Sequence, residues 1–283
     1  MNRRLIWRKA VNFAMLGATG LCALITISAL VFILGYLAVK GGRYINWAFL
    51  TQLPKPVGEA GGGMANAIVG SAKLLLIASV TGIPVGLLAG IYLAEFGGKM
   101  VPFAVRYAAD LLNGVPSIVM GIFIYSVVVL PMRGFSVLAG GLALGVMLIP
   151  IVVRSTEDFI RAVPRPMLEG ALALGASKWR ALATVVIPAA FPGIATGVLL
   201  SLARVAGETA PLLFTSSNNQ FWSPGLTQPT ASLPVMIYTY AISPYPSWHR
   251  QAWAAGFVLL ALVLVVNMGS HAILSRRRSF LRG

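Results

Sequence analysis

The chain of 283 residues is 58% hydrophobic and only 10% charged, against roughly 25% charged in an ordinary soluble domain. Too few polar side chains exist to cover a water-soluble globule, which excludes a soluble enzyme and a disordered chain. The net charge of +15 would suggest nucleic acid in a soluble protein, but no basic stretch is interleaved with base-stacking aromatics, and in a polytopic membrane protein loop cations set orientation.

Runs of about 20 apolar residues, bracketed by charges, predict an all-α membrane protein with six spanning helices. They cover Ala14 to Val39, Leu74 to Ala94, Leu111 to Met132, Phe135 to Val153, a fifth from near Ala189, and Trp253 to Leu274. Arg3, Arg4, Arg8 and Lys9 look like the start of a signal peptide, but the apolar run after them is too long for one and reads as a retained first span. With the N-terminus inside, 15 of the 22 Lys and Arg fall on the inner side and 6 on the outer, leaving Arg204 within the membrane. Both termini are therefore expected in the cytoplasm. Lys73 and Arg106 read as interface anchors.

In the second span, Gly82, Gly86 and Gly90 form a four-residue ridge around Pro84 that lets another helix approach its backbone. In the third, Pro116 either simply kinks the helix or frees backbone groups to line a cavity, with Asn113 and Ser117 adding donors for an oxyanion. Single Cys22 lies in an apolar run, His249 and His271 are far apart, and no hydrolase or metal motif occurs. Catalysis on this chain is not expected.

The inner loop from Arg154 to Arg180 is the most polar segment. Met167 to Leu174 favours a helix, Gly175 suits a C-cap and Ser177 an N-cap, so two short helices joined at a glycine are expected. Such an elbow is either an amphipathic connector or a knob for a partner's groove. No G-x-x-x-x-G-K-[ST] phosphate loop is present, since Gly98-Lys99 is followed by Met100 and lacks the earlier glycine.

Arg204 stands about 15 residues, roughly 22 Å, beyond Ala189 on a helix, which places it inside the bilayer. Glu208 follows at i+4, so the pair is expected to share a face and an ion pair. Either it lines a pathway, where Arg204 offers a donor fork to a translocating oxyanion, or it is a structural pair between helices. Between the fifth and sixth spans, Thr215 to Arg250 holds turn formers and Phe221, Trp222, Tyr238, Tyr240, Tyr245 and Trp248, which read as an interfacial belt in preference to a docking site for an external partner.

Glu169-Gly170-Ala171, Gly175 and Val185-Val186-Ile187-Pro188 resemble the E-A-A-x-x-x-G…I-x-L-P signature of the permease subunits of bacterial ATP-binding-cassette importers, with Gly170 and Ile187 as mild departures. Residues 203–215, 218–222, 114–121 and 89–95 more specifically resemble the A-type permeases of phosphate-specific importers. The resemblance implies a six-helix type I importer bundle in the bacterial inner membrane, with an N-terminal region over 1–62, a five-helix permease core over 63–275 that includes a coupling loop at 154–188, and a basic tail at 276–283. It implies that Glu169, Ala171, Gly175 and Pro188 form the coupling elbow that docks on an ATPase subunit. It also implies a second, C-type permease subunit, an ATPase dimer that binds ATP and Mg in place of any cofactor on this chain, and an external phosphate-binding protein. Phosphate is the expected cargo, with sulfate or molybdate, or a secondary anion transporter, as alternatives. Membrane lipid is the remaining partner.

Overall fold

The computed structural model describes residues 3–57, 59, 61–96, 98 and 100–280. Lys99 and Arg282, counted above on the inner side, and the end of the basic tail lie outside the described residues. Every regular element among the described residues is helical. The chain forms α1 (Arg3–Gly42), α2 (Trp47–Thr51), α3 (Ala65–Glu95), α4 (Met100–Gly114) and α5 (Ser117–Met132). It continues through α6 (Val137–Arg161), α7 (Arg165–Ala173), α8 (Lys178–Ala206), α9 (Ala210–Thr215), α10 (Leu233–Ala241) and α11 (Pro246–Phe280). Five helices are long and apolar enough to cross a membrane, or six if the bent pair α4 and α5 counts as one span.

The centre of the bundle is the pair α3 and α6, which run side by side in the same direction. The predicted ridge supplies the contact: a Cβ added at Gly82 would stand 2.6 Å from the Gly145 carbonyl oxygen, at Gly86 2.6 Å from Val152 Cβ, and at Gly90 2.6 Å from Thr156 Cβ. The facing helix contributes a glycine too, because a Cβ added at Gly141 would stand 2.5 Å from Ile77 Cβ. Lipid tails are as apolar as leucine, so close backbone approach and dense van der Waals contact hold such a pair together. Leu74, Ala78, Leu144, Leu148 and Val152 are buried along the seam.

Three expected boundaries are corrected. The third span does not begin at Leu111: α4 ends at Gly114 and α5 leaves it at 103°. Pro116 bars the preceding Val115 from helical backbone and caps α5 with a φ of −56°, so the proline breaks the chain into two helices instead of kinking one. The fourth span continues to Arg161, eight residues past Val153, and the fifth begins at Lys178, eleven before Ala189. Here charged residues at the membrane edge prolong a helix that charge bracketing had cut short. A π turn over Leu182–Val186 precedes Pro188, and its wider backbone removes the clash a proline ring makes with the carbonyl four residues earlier, so α8 runs on unbroken.

Opposite the elbow end, the segment 216–232 folds down on the bundle instead of standing off as a loop. Val137 N donates to the Gln228 carbonyl at 3.0 Å and Leu138 N to that of Leu226 at 3.0 Å, which satisfies the open end of α6. Leu233 N donates to Ser71 Oγ at 2.8 Å, and Asn66 Nδ2 to the Asn219 carbonyl at 2.6 Å. Lys73, expected as an interface anchor, lies within α3 and donates to the Ser223 carbonyl at 2.6 Å. The aromatic belt is also corrected at one position. Tyr240 is fully buried and stacks on Trp248 with ring centroids 4.3 Å apart, while Phe221 and Trp222 are exposed.

Candidate functional site

The break between α4 and α5 opens a cavity of about 220 Å³ against the middle of α6 and the end of α8. Asn113 and Ser117 enter it from the two sides of Pro116, and Arg204 and Glu208 from the end of α8. Met147 and Ile151 form its apolar wall. Met147 is ten residues into α6, about 15 Å at 1.5 Å per residue, so the cavity sits near mid-depth of the bundle. All four polar residues singled out from the sequence therefore meet in one place.

The expected Arg204–Glu208 ion pair is absent among the described residues. The helix supplies the reason: α8 ends at Ala206, Gly207 caps it, and Gly207 N and Glu208 N donate to the carbonyls of Arg204 and Val205 in a tightened last turn. Glu208 thus leaves the helical register that an i,i+4 pair requires. Arg204 is exposed to the cavity at the C-terminal end of α8, where its cation is favoured by the helix dipole.

A second charged group escaped the sequence reading. Glu157 is 1% exposed and accepts from Arg106 Nε at 2.7 Å and Arg161 at 2.9 Å, both on Oε1. Arg106 also donates to the Leu93 carbonyl at 3.2 Å, so it ties α4 to α3 and α6 and is not an interface anchor. Arg154 forms a two-point pair with Asp110 and lies 3.7 Å from Glu157 Oε2. The spacings of Arg154, Glu157 and Arg161 on one helix were visible in advance; Arg106 and Asp110 come from 51 and 44 residues away and were not.

At the elbow, α7 ends in a Schellman turn. Gly175 has φ +84°, its N–H donates to the Leu172 carbonyl at 2.9 Å, and Ala176 N donates to the Ala171 carbonyl at 3.2 Å. Ser177 accepts from Arg180 N and starts α8. The expected two-helix elbow is present, although its second arm is the start of the long α8. Glu169 lines a polar cleft of about 590 Å³ with Glu95, Arg161, Arg165 and Lys178, while Pro188 is exposed on α8. Leu174 is 90% and Trp179 65% exposed at the tip, although one face of the Trp179 ring stacks on Phe96 with centroids 4.6 Å apart.

An all-helical bundle with a polar mid-depth cavity and a projecting elbow defines a membrane permease subunit. Residues 63–280 match the family described as binding-protein-dependent transport system inner membrane component. The chain is 43% identical over 273 residues to the phosphate transport system permease protein PstA of Yersinia pestis, covering 96% of this chain and 92% of the relative. It is 41% identical to that of Haemophilus influenzae, with 98% of each chain covered. A probable PstA of Methanocaldococcus jannaschii is 36% identical, with 87% of this chain and 88% of the relative covered. Among solved structures, a methionine transporter MetNI in inward-facing form superposes with a TM-score of 0.60 at 18% identity, over 75% of this chain and 96% of that one. A bacterial transporter involved in import of the acidic polysaccharide alginate gives 0.61 at 16% identity, over 96% and 98%. The chain belongs to the binding-protein-dependent transport system inner-membrane component family, and is a multi-pass permease with the type I importer fold.

Proposed function

We propose that this chain is the inner-membrane permease subunit of an ATP-driven importer of inorganic phosphate. The observation that carries the reading is the convergence of Asn113, Ser117, Arg204 and Glu208 on one cavity at mid-depth. Charge within a bilayer is costly and tends to mark a pathway. An arginine without a carboxylate partner keeps its planar donors for a passing oxyanion. The amide and hydroxyl add neutral donors, and Glu208 limits the dwell time by opposing the bound anion. The names of the relatives favour phosphate over sulfate or molybdate.

In this reading the cavity faces a second, C-type permease subunit, and an external phosphate-binding protein delivers the anion. The elbow, with Glu169, Ala171, Gly175 and Pro188 shaping it and Leu174 and Trp179 at its tip, docks on a separate ATPase dimer, which binds ATP and Mg. Both termini lie in the cytoplasm, the core runs over 63–275 and the coupling loop over 154–188. Phosphate uptake at low external phosphate, in cells lacking this chain and restored with the natural chain or Arg204→Ala, tests the assignment. Uptake is expected to return only with the natural chain; normal uptake by a correctly inserted Arg204→Ala protein would remove Arg204 from the pathway.

A further inference from the structure

A second cavity, of about 280 Å³, lies at the end of the bundle away from the elbow, where α1 and α11 leave the apolar zone. Its walls include Tyr44, Lys55, Glu59, Trp248, Arg250 and Gln251. Arg250 stands over the Tyr44 ring, 5.9 Å from its centroid, and Gln251 Nε2 donates to the Gly61 carbonyl at 3.5 Å, which holds Gly61 over the start of α11. Neither Arg250 nor Glu59 is in a salt bridge with another described residue. The cavity thus presents one cation, Arg250, and one carboxylate, Glu59, at the end of the bundle.

Below it runs the seam between α1 and α11. Tyr36 meets Trp253 edge-on with centroids 5.3 Å apart, and Lys40 caps the Tyr36 ring at 5.7 Å. Gly41 packs closely on Trp253 and Phe257 in this seam, while the apolar window of α1 has no buried residues and leaves the flanks of the seam open to acyl chains.

We propose that this cavity binds the headgroup of a phospholipid carrying both a phosphate and a primary ammonium group, with Arg250 on the phosphate and Glu59 on the ammonium. The charge pattern selects this class. A purely anionic headgroup would leave Glu59 facing negative charge, and a quaternary ammonium has no N–H to donate to it. The exposed flanks of the seam take the acyl chains, and Tyr44 and Trp248 suit the boundary between them and the headgroup.

The test is native mass spectrometry of the assembled, delipidated transporter titrated with phosphatidylethanolamine, phosphatidylglycerol, phosphatidylcholine and inorganic phosphate. Phosphatidylethanolamine is expected to be retained several-fold more strongly than either other lipid. Arg250→Gln is expected to weaken retention of all three by about fivefold, a value typical of one cation near a lipid surface. Arg250→Lys should recover most of the loss, which separates charge from folding. Glu59→Gln is expected to erase the preference for phosphatidylethanolamine while strengthening phosphatidylglycerol. Equal retention of the three lipids, stronger retention of phosphatidylglycerol by the natural protein, displacement of lipid by millimolar phosphate, or indifference to Arg250→Gln would each overturn the proposal.

Discussion

Arg106 Nε and Glu157 Oε1 meet at 2.7 Å, joining a 29% exposed guanidinium to a carboxylate that is 1% exposed. The asymmetry fixes which deletion costs more. Removing arginines strands a buried carboxylate, whereas removing the carboxylate releases arginines that reach water. We expect the double variant Arg106→Ala/Arg161→Ala to lose about 3–5 kcal/mol and Glu157→Gln to lose less, measured by denaturation of the purified protein in detergent. The reverse order would show that water reaches the Glu157 carboxylate once its arginines are gone.

The α3–α6 seam predicts a steep position dependence for alanine. Gly82→Ala places a methyl 2.6 Å from a backbone oxygen, which cannot swing aside as a side chain can. The helices must separate along the seam, and yield of folded protein should fall sharply. Gly170→Ala meets nothing within 4 Å and should stabilise α7 by up to about 1 kcal/mol, with uptake retained. Thermal unfolding of both variants by fluorescence-detected chromatography checks the contrast.

Gly175 lies between these extremes. It also has open space around it, but its φ of +84° is costly for an L side chain. Gly175→Ala should destabilise the elbow by about 1–2 kcal/mol and raise local protease sensitivity near residue 175 without altering the apparent melting temperature of the bundle.

Because Arg204 and Glu208 are not paired, their substitutions should act independently on stability. A double-mutant cycle of Arg204→Ala and Glu208→Ala is expected to give a coupling within about 0.5 kcal/mol of zero in unfolding, while phosphate uptake responds to each. A coupling above 1 kcal/mol would restore the ion pair expected from their spacing.

Burial pushes the Tyr240 phenol up to about 12 from its ordinary value near 10, and its hydroxyl has no hydrogen-bond partner among the described residues. A raised value means the neutral form is favoured in the folded protein, so stability is complete below pH 10 and declines between pH 10 and 12. Tyr240→Phe should be nearly neutral at pH 7 and should flatten that alkaline decline relative to the natural protein, as followed by near-ultraviolet circular dichroism.

Helices carried by long apolar runs were readable in the sequence, and so was the four-residue glycine ridge, because both are periodic and local. The elbow was equally readable, since Gly175 and Ser177 act within one turn of themselves. What failed was extrapolating helical register past its end: Gly207 and the Pro211 of the next helix were signs that Glu208 would not follow Arg204 by one turn. Arg106 was misread for a different reason. Its partner Glu157 is distant in the chain, and nothing in its own neighbourhood distinguishes a snorkelling arginine from a buried pair. The cavity fell between these cases: its residues were identifiable singly, but their meeting depended on the 103° turn at Pro116.

The first helix has its main packing partner at the far end of the chain, in α11. During synthesis, α1 enters the bilayer first and then waits through more than two hundred residues before its neighbour arrives. Until then its main packing partner is missing, while α3 and α6 can already close their glycine seam. The bundle is therefore expected to mature from its middle outward, with α1 and α11 brought together last. A chain interrupted before α11 would keep its central seam and lose the berth of its own N-terminal helix.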